Sequence, residues 1–380
     1  MKPATVEYLK KRFYSYYTGE IPTAGAVYVP DSLPEREWGF LYFSEDKKSG
    51  MRRHVAFSFR DEVDAYLQSM APAHVYYSTA YYANPGAATM QEKEWRGADL
   101  IFDLDADHIV RAAYDVMLAR VKDEMFKLID MLTGELGFQE REMKVNFSGG
   151  RGYHIHIPSM TVRDWSANER RELVNYVSGT GLSFDAMMHA KAKTGWPKRY
   201  REAVAEELDR IKGLSFEDAA AYLGGIGVKE NPARDFYKHI DETRGLFFEN
   251  PALVAVNPVL KKICNPENKV FQNHVLARAA QADEPVTTDI KRLIRHPGSL
   301  HGGSGMRVTP LAVRDLDDFD PLIDAVVFSG DRLVQVDCAF PLTMTMLENK
   351  YELAAGRNTV PEALAVFLCA RGIAEFAGGT

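Results

Sequence analysis

Asp103-Leu104-Asp105 closes the apolar run Leu100-Ile101-Phe102. In an extended strand alternate side chains share a face, so the two carboxylates project together, roughly 6 to 7 Å apart along the strand. Where such carboxylates converge to about 4 Å at an effective dielectric near 20, they repel by about 4 kcal/mol, a cost relieved by a proton or a cation. Hard oxygen ligands favour magnesium or manganese. The alternative is a solvated strand end followed by a turn.

A second chemical stretch runs from Lys144 to Pro158 around Ser148-Gly149-Gly150-Arg151-Gly152. Alternating residues on both sides describe a hairpin whose glycines accept positive φ and leave backbone N–H groups bare for phosphate oxygens. Arg151 adds a rigid fork, Ser148 a hydroxyl and His154 a further donor, together resembling a triphosphate grip. The competing reading is a tight hairpin with a surface arginine. His156 shares the face of His154 and is read equally as a packed histidine or a ligand. Late in the chain, Lys291, Arg292 and Arg295 precede the turn Pro297-Gly298-Ser299 and His301. A solvated helix face accounts for Lys291 and Arg292, whereas Arg295 and His301 flank the turn and are candidates to bind phosphate.

These residues need elements to hold them. The 380 residues are 46% hydrophobic and 26% charged, the profile of a globular chain with one elaborate domain or two ordinary ones. The net charge of -7 argues against coating a duplex non-specifically, so any nucleic-acid contact is local. No long apolar window and no signal-peptide core is present, which places the chain in the cytoplasm and away from membranes. Cys264, Cys338 and Cys369 show no C-x-x-C spacing, so neither a disulfide framework nor a cysteine zinc site is read.

Periodicity predicts helices over Val6 to Tyr17, Asp61 to Ser69, 107–136, Asn168 to Val177 and Tyr200 to Gly213. Another is expected to open at Ser215, and a last one to run from Pro361 to Phe376. Strands are expected within Trp38 to Phe59, Val75 to Tyr82, the acidic run, the glycine hairpin, Ala325 to Phe328 and Leu333 to Val336. The sum is a mixed α/β (α+β) fold. Lys191, Lys193, Lys198, Arg199 and Arg201 cluster around Gly195-Trp196-Pro197, as a solvated linker between helices or a guide for a template strand.

The order of Asp103-Leu104-Asp105, Ser148-Gly149-Gly150-Arg151-Gly152-Tyr153-His154, and Asp283 followed by Arg295 and His301 closely resembles the catalytic small subunit of archaeal and eukaryotic DNA primase. The likeness extends to Arg36-Glu37-Trp38-Gly39-Phe40, Tyr77 to Tyr81 and Val360 to Leu364. The resemblance implies a primase-type core over residues 1–165 and 255–380, interrupted by a helical insertion over 166–254. It assigns Asp103, Asp105 and Asp283 to two divalent metals, Mg2+ or Mn2+, with Asp107 and Asp289 as lower-ranked alternatives. Ser148, Arg151, His154, Arg295 and His301 fall to the incoming nucleoside triphosphate. Many members carry a zinc knuckle after the acidic strand; this chain has no cysteine there, and no structural zinc is expected.

The implied activity is synthesis of short RNA primers on a single-stranded DNA template from NTPs, with dNTPs as an alternative substrate, beside a primase large subunit that brings an iron–sulfur domain. Rival readings are a superfamily polymerase of end joining or lesion bypass, a catalytically silent nucleic-acid-binding subunit, and a metal-dependent phosphohydrolase.

Overall fold

The computed structural model describes residues 1–21, 27–44, 50–106, 112–190 and 192–379. Asp107, Ile109, Val110 and Lys191 fall outside them. The fold is mixed α+β, and the chain divides into two compact units. Unit 1 comprises Met1–Met125, Gln139–Glu172 and Ala282–Thr380; unit 2 comprises Phe126–Phe138 and Leu173–Gln281.

Unit 1 holds two four-stranded antiparallel sheets that carry the residues of interest. In the first the order is Arg52–Val55, Trp38–Leu41, His74–Ser78, Leu293–Arg295. In the second it is Thr309–Leu311, Lys144–Phe147, Gly152–Ile157, Leu100–Asp105. Directly opposed residues of an antiparallel pair share a face. The register therefore sets Asp103, His154 and Asn146 in one row, and Lys144 beside His156 in the next. The opposite face is apolar: Phe102, Leu104, Phe147, Tyr153 and Ile155 are fully buried, and Phe147 and Tyr153 meet Phe319 with ring centroids 5.8 and 6.4 Å away. Burying such a side chain stabilises by about 1.5–3 kcal/mol, so a one-residue slip that exchanged the faces would be strongly disfavoured.

The N-terminal helix spans Pro3–Tyr17 and buries Val6, Leu9, Phe13 and Tyr16 at helical spacing. It also anchors the late turn: Tyr16 donates its hydroxyl to the Gly298 carbonyl at 2.7 Å, and the Leu300 N–H donates to the Tyr17 hydroxyl at 3.2 Å. A third sheet orders Gly356–Pro361, Leu333–Cys338 and Ala374–Gly379. Among the described residues no helix is long and apolar enough to cross a membrane.

Unit 2 is helical. The helix Gly195–Gly213 buries Trp196, Tyr200, Val204, Leu208 and Ile211, and Tyr200 packs edge-on against Phe184 and Phe271. The basic cluster is linker only in part: Lys193 lies between the helices Phe184–His189 and Gly195–Gly213, whereas Lys198, Arg199 and Arg201 lie on the latter, whose first turn is Gly195, Trp196 and Pro197. The charges on the helix are used internally, Arg199 on Asp130 and Glu135, Lys198 on Glu202, and Arg201 on the carbonyls of Ala190 and Ala192.

Three further expectations are corrected. Ala325 to Phe328 is turn and irregular chain, not a strand. The last helix is Glu362–Ala370 and stops short of Phe376, because Gly372 takes φ +71° and the chain turns into the strand Ala374–Gly379. Lys291 and Arg292 lie on no helix; they sit in the turn between the short helix Glu284–Thr288 and the strand Leu293–Arg295.

Candidate active site

A cavity of about 570 Å³ opens in unit 1 where the polar row of the second sheet meets the strand Leu293–Arg295. Asp103, Asp105, Ser148, Arg151, His154, Arg295 and His301 all line it, joined by Tyr76, Arg292 and Arg371. Asp283 is not among the lining residues. It lies beside the site, its backbone N–H donating to the Asp103 carbonyl at 2.8 Å. Asp289 accepts from the Lys291 N–H and likewise does not line the cavity.

Asp103 Oδ1 is 3.2 Å from His154 Nε2. Burial pushes the Asp103 carboxyl up, but His154, by charge and hydrogen bond, and then Arg292 and Arg295 outweigh it and hold the group below the usual carboxylate range. His154 is buried, and its Nδ1 has no partner among the described residues.

The glycine turn differs from its reading in one respect. The N–H groups of Gly150 and Gly152 are not bare: both donate to Ser148 Oγ at 3.2 Å. A hydroxyl that accepts two amides keeps its single proton to donate. The glycines are required by the close approach of His301. Gly149 has φ +75°, and a Cβ there would lie 2.7 Å from His301 Cβ; one on Gly150 would lie 3.0 Å from His301 Nε2. Burial first, then the charges of Arg295, His74 and Arg371, keep His301 well below the usual histidine range. Its Nδ1 accepts from the Gly303 N–H at 3.1 Å, so the neutral ring carries its proton on Nε2, beside the glycine turn.

Arg295 is fixed by His74, whose Nδ1 lies 2.6 Å from Arg295 Nη1, and by the Tyr76 ring, 5.1 Å from its guanidinium carbon. Arg371 packs over Tyr114 and Phe367 at 5.0 and 5.4 Å. Arg151, Arg292, Arg295 and Arg371 thus gather round two aspartates in a chain of net charge -7. Such an inversion of local charge suits a polyphosphate, which four guanidinium forks recognise by charge-assisted hydrogen bonds.

As a cation site, the donor set is two carboxylates on one strand face, one of them held anionic, which matches hard divalent ions. Among the described residues no three His, Cys, Asp or Glu side chains converge closely enough to form a metal cluster by themselves. Sequence reading missed Arg292, Arg371, Tyr76 and His74. Only Arg292 carried a local signal, its place in the late basic stretch.

Residues 102–313 match the model of the DNA primase small subunit family. Over the full length of both chains the protein is 65% identical to DNA primase small subunit PriS of Methanocorpusculum labreanum. It is 51% identical to the protein of that name from Methanosphaerula palustris, again over the full length of both. With the one from Methanoregula boonei it shares 49% identity, over 99% of this chain and 100% of the relative. A family model spanning more than half the sequence, and end-to-end relatives at this identity, settle the kinship: the chain belongs to the DNA primase small subunit family.

Proposed function

We propose that the protein starts and extends short RNA primers on single-stranded DNA, transferring nucleotides from NTPs in the unit 1 cavity with a divalent metal. Family membership makes it an enzyme, a nucleotidyltransferase of the DNA primase kind. The observation that carries the finer reading is the juxtaposition of Asp103 and Asp105 with four arginines in one cavity.

In this reading Asp103 and Asp105, with Asp283 beside them, hold magnesium or manganese, which when bound supplies Lewis acidity and neutralises charge on the attacking and leaving oxygens. The chain's own groups do the rest. Arg151, Arg292, Arg295 and Arg371 take the triphosphate, and His301 Nε2–H and the Ser148 hydroxyl donate to it. His154 fixes the Asp103 carboxylate. Catalysis is assigned to residues 1–165 and 255–380, with 166–254 as an insertion. A large subunit as heterodimer partner follows from the relatives' name, and the cytoplasm is the compartment proposed.

The test is de novo synthesis on unprimed poly-dT with labelled ATP and magnesium or manganese, read on a denaturing gel beside the Asp103→Ala, Asp105→Ala double variant. Labelled oligomers from the wild type alone are expected. Extension only of an annealed primer would move the assignment to a polymerase of the superfamily or to a chain that needs its partner to start. No transfer in either format would point to a silent subunit.

A further inference from the structure

A second cavity, of about 360 Å³, lies in the same unit, bounded by Tyr28, Tyr77, Asn146, His156, Pro297 and Pro310. It neighbours the arginine-lined cavity. His154 and His156 are alternate residues on one face of the strand Gly152–Ile157, with ring centroids 6.3 Å apart, and each lines one of the two cavities.

His156 is only 2% exposed. Its Nδ1 is 3.2 Å from the Tyr77 hydroxyl, and its Nε2 has no partner among the described residues. The Tyr77 hydroxyl has no other acceptor among those residues, so its proton is directed at Nδ1, and the neutral imidazole carries its own on Nε2. Burial holds the ring in that neutral form. A buried N–H left unmatched is costly, and buried polar atoms in native folds are matched by protein, water or ligand.

The lining excludes charged occupants. Lys144 is its one cation, and that ammonium is 2.6 Å from Asp31 and 3.1 Å from the Tyr28 hydroxyl. No carboxylate lines the cavity for a metal. What remains is apolar surface, the rings of Tyr28, Pro297 and Pro310 beside the aliphatic chains of Met143, Val145 and Leu311, with the His156 N–H and the Asn146 carboxamide as polar features. Apolar walls that include three rings, with a few fixed polar groups, suit a planar, neutral heterocycle with acceptors on its edge.

We propose that this second cavity holds a nucleobase, stacked against the Tyr28 and proline walls and hydrogen-bonded by His156 Nε2–H. The proposal rests on the primase reading only for the source of the base, a second free nucleotide or a residue of the bound strand. Base recognition here is independent of the triphosphate grip next door.

Adenosine, which has no phosphate, separates the two. Titrated calorimetrically into the full chain with the arginine-lined cavity filled by excess inorganic tripolyphosphate, which carries no base, adenosine is expected to bind. That binding should weaken about tenfold in His156→Phe, which keeps a ring and removes the donor. Leu311→Trp, at the half-buried rim of the same cavity, should block it and serves if His156→Phe does not fold.

Competition by (dT)12, with oligonucleotide affinity lost in Leu311→Trp, would assign the base to the strand. Unchanged oligonucleotide affinity with a raised KM for the initiating ATP would assign it to a free nucleotide. Absence of adenosine binding, or binding indifferent to both substitutions, overturns the proposal whatever the enzyme's activity. Adenosine binding in a chain that transfers no nucleotide would overturn the primase reading and leave this site standing.

Discussion

His74→Leu probes how the proposed triphosphate grip is held. The Nδ1 of His74 accepts from Arg295 Nη1 at 2.6 Å and from the Gly302 N–H at 3.2 Å. One ring atom thereby fixes both the guanidinium and the turn that carries His301. It can accept only while neutral. Burial first, and the Arg295 charge second, push its pKa down to about 3, so the ring stays neutral throughout the working pH range. Leucine removes the acceptor and strands two donors.

A hydrogen bond to a charged group contributes about 1.5–3 kcal/mol, which on nucleotide binding is about a 10- to 150-fold rise in KM for ATP. The turn has no room to compensate, since a Cβ on Gly302 would already stand 2.7 Å from the Ala73 carbonyl oxygen. His74→Asn keeps an acceptor and should recover most of the loss. The assay is steady-state extension of a primed template at varied ATP, with a circular-dichroism melt to confirm folding. A folded leucine variant whose KM stays within about twofold of wild type would refute the positioning of Arg295 by His74, or the placement of Arg295 on the triphosphate.

Arg371→Ala should raise KM for ATP by about tenfold with a smaller change in kcat, as expected for a lost phosphate contact; unchanged nucleotide affinity by fluorescence titration would remove it from the grip. Gly149→Ala should cost about 1–2 kcal/mol from its φ of +75° alone, and more from the clash with His301, seen as a lower urea midpoint together with weaker ATP binding; a variant indistinguishable from wild type would contradict the close approach. Stability should also depend on pH through His296, which is fully buried and whose pKa burial pushes down to about 3. Unfolded, the ring takes a proton near 6.5, so the unfolded state binds more protons between about pH 3 and 6.5. Stability then falls as pH drops through 6.5, and this group alone should remove about 2 kcal/mol by pH 5. His296→Asn should flatten that part of the profile in urea titrations at pH 8 and pH 5, and an equal slope in both proteins would count against it.

The parts of the site readable from sequence are those whose geometry is local. Asp103 and Asp105 share a face because strand periodicity makes them do so, and the hairpin from Lys144 to Pro158 announces itself by glycines between alternating residues. Arg371 was hidden because Leu364, Phe367, Leu368 and Ile373 keep a helical rhythm past the point where Gly372 breaks it. The following Ala374–Gly379 has little strand character of its own and is held in a strand by pairing with Leu333–Cys338. Arg292 was misplaced for a similar reason: the segment leading into Leu293–Arg295 is organised by pairing with His74–Ser78, a partner far away in sequence. Nothing near His74 signals that its ring serves Arg295. Unit 2 shows the reverse case, where a helix was expected to begin at Tyr200 and buried Trp196 draws its start back to Gly195.

Because the arginine-lined cavity takes Asp103 from one stretch of chain, Arg151 from a second and Arg295, His301 and Arg371 from a third, it is assembled late during synthesis on the ribosome. A nascent chain displays the aspartate pair well before it has the guanidinium groups that complete the grip. The cavity in this way stays incomplete until Arg371 has emerged.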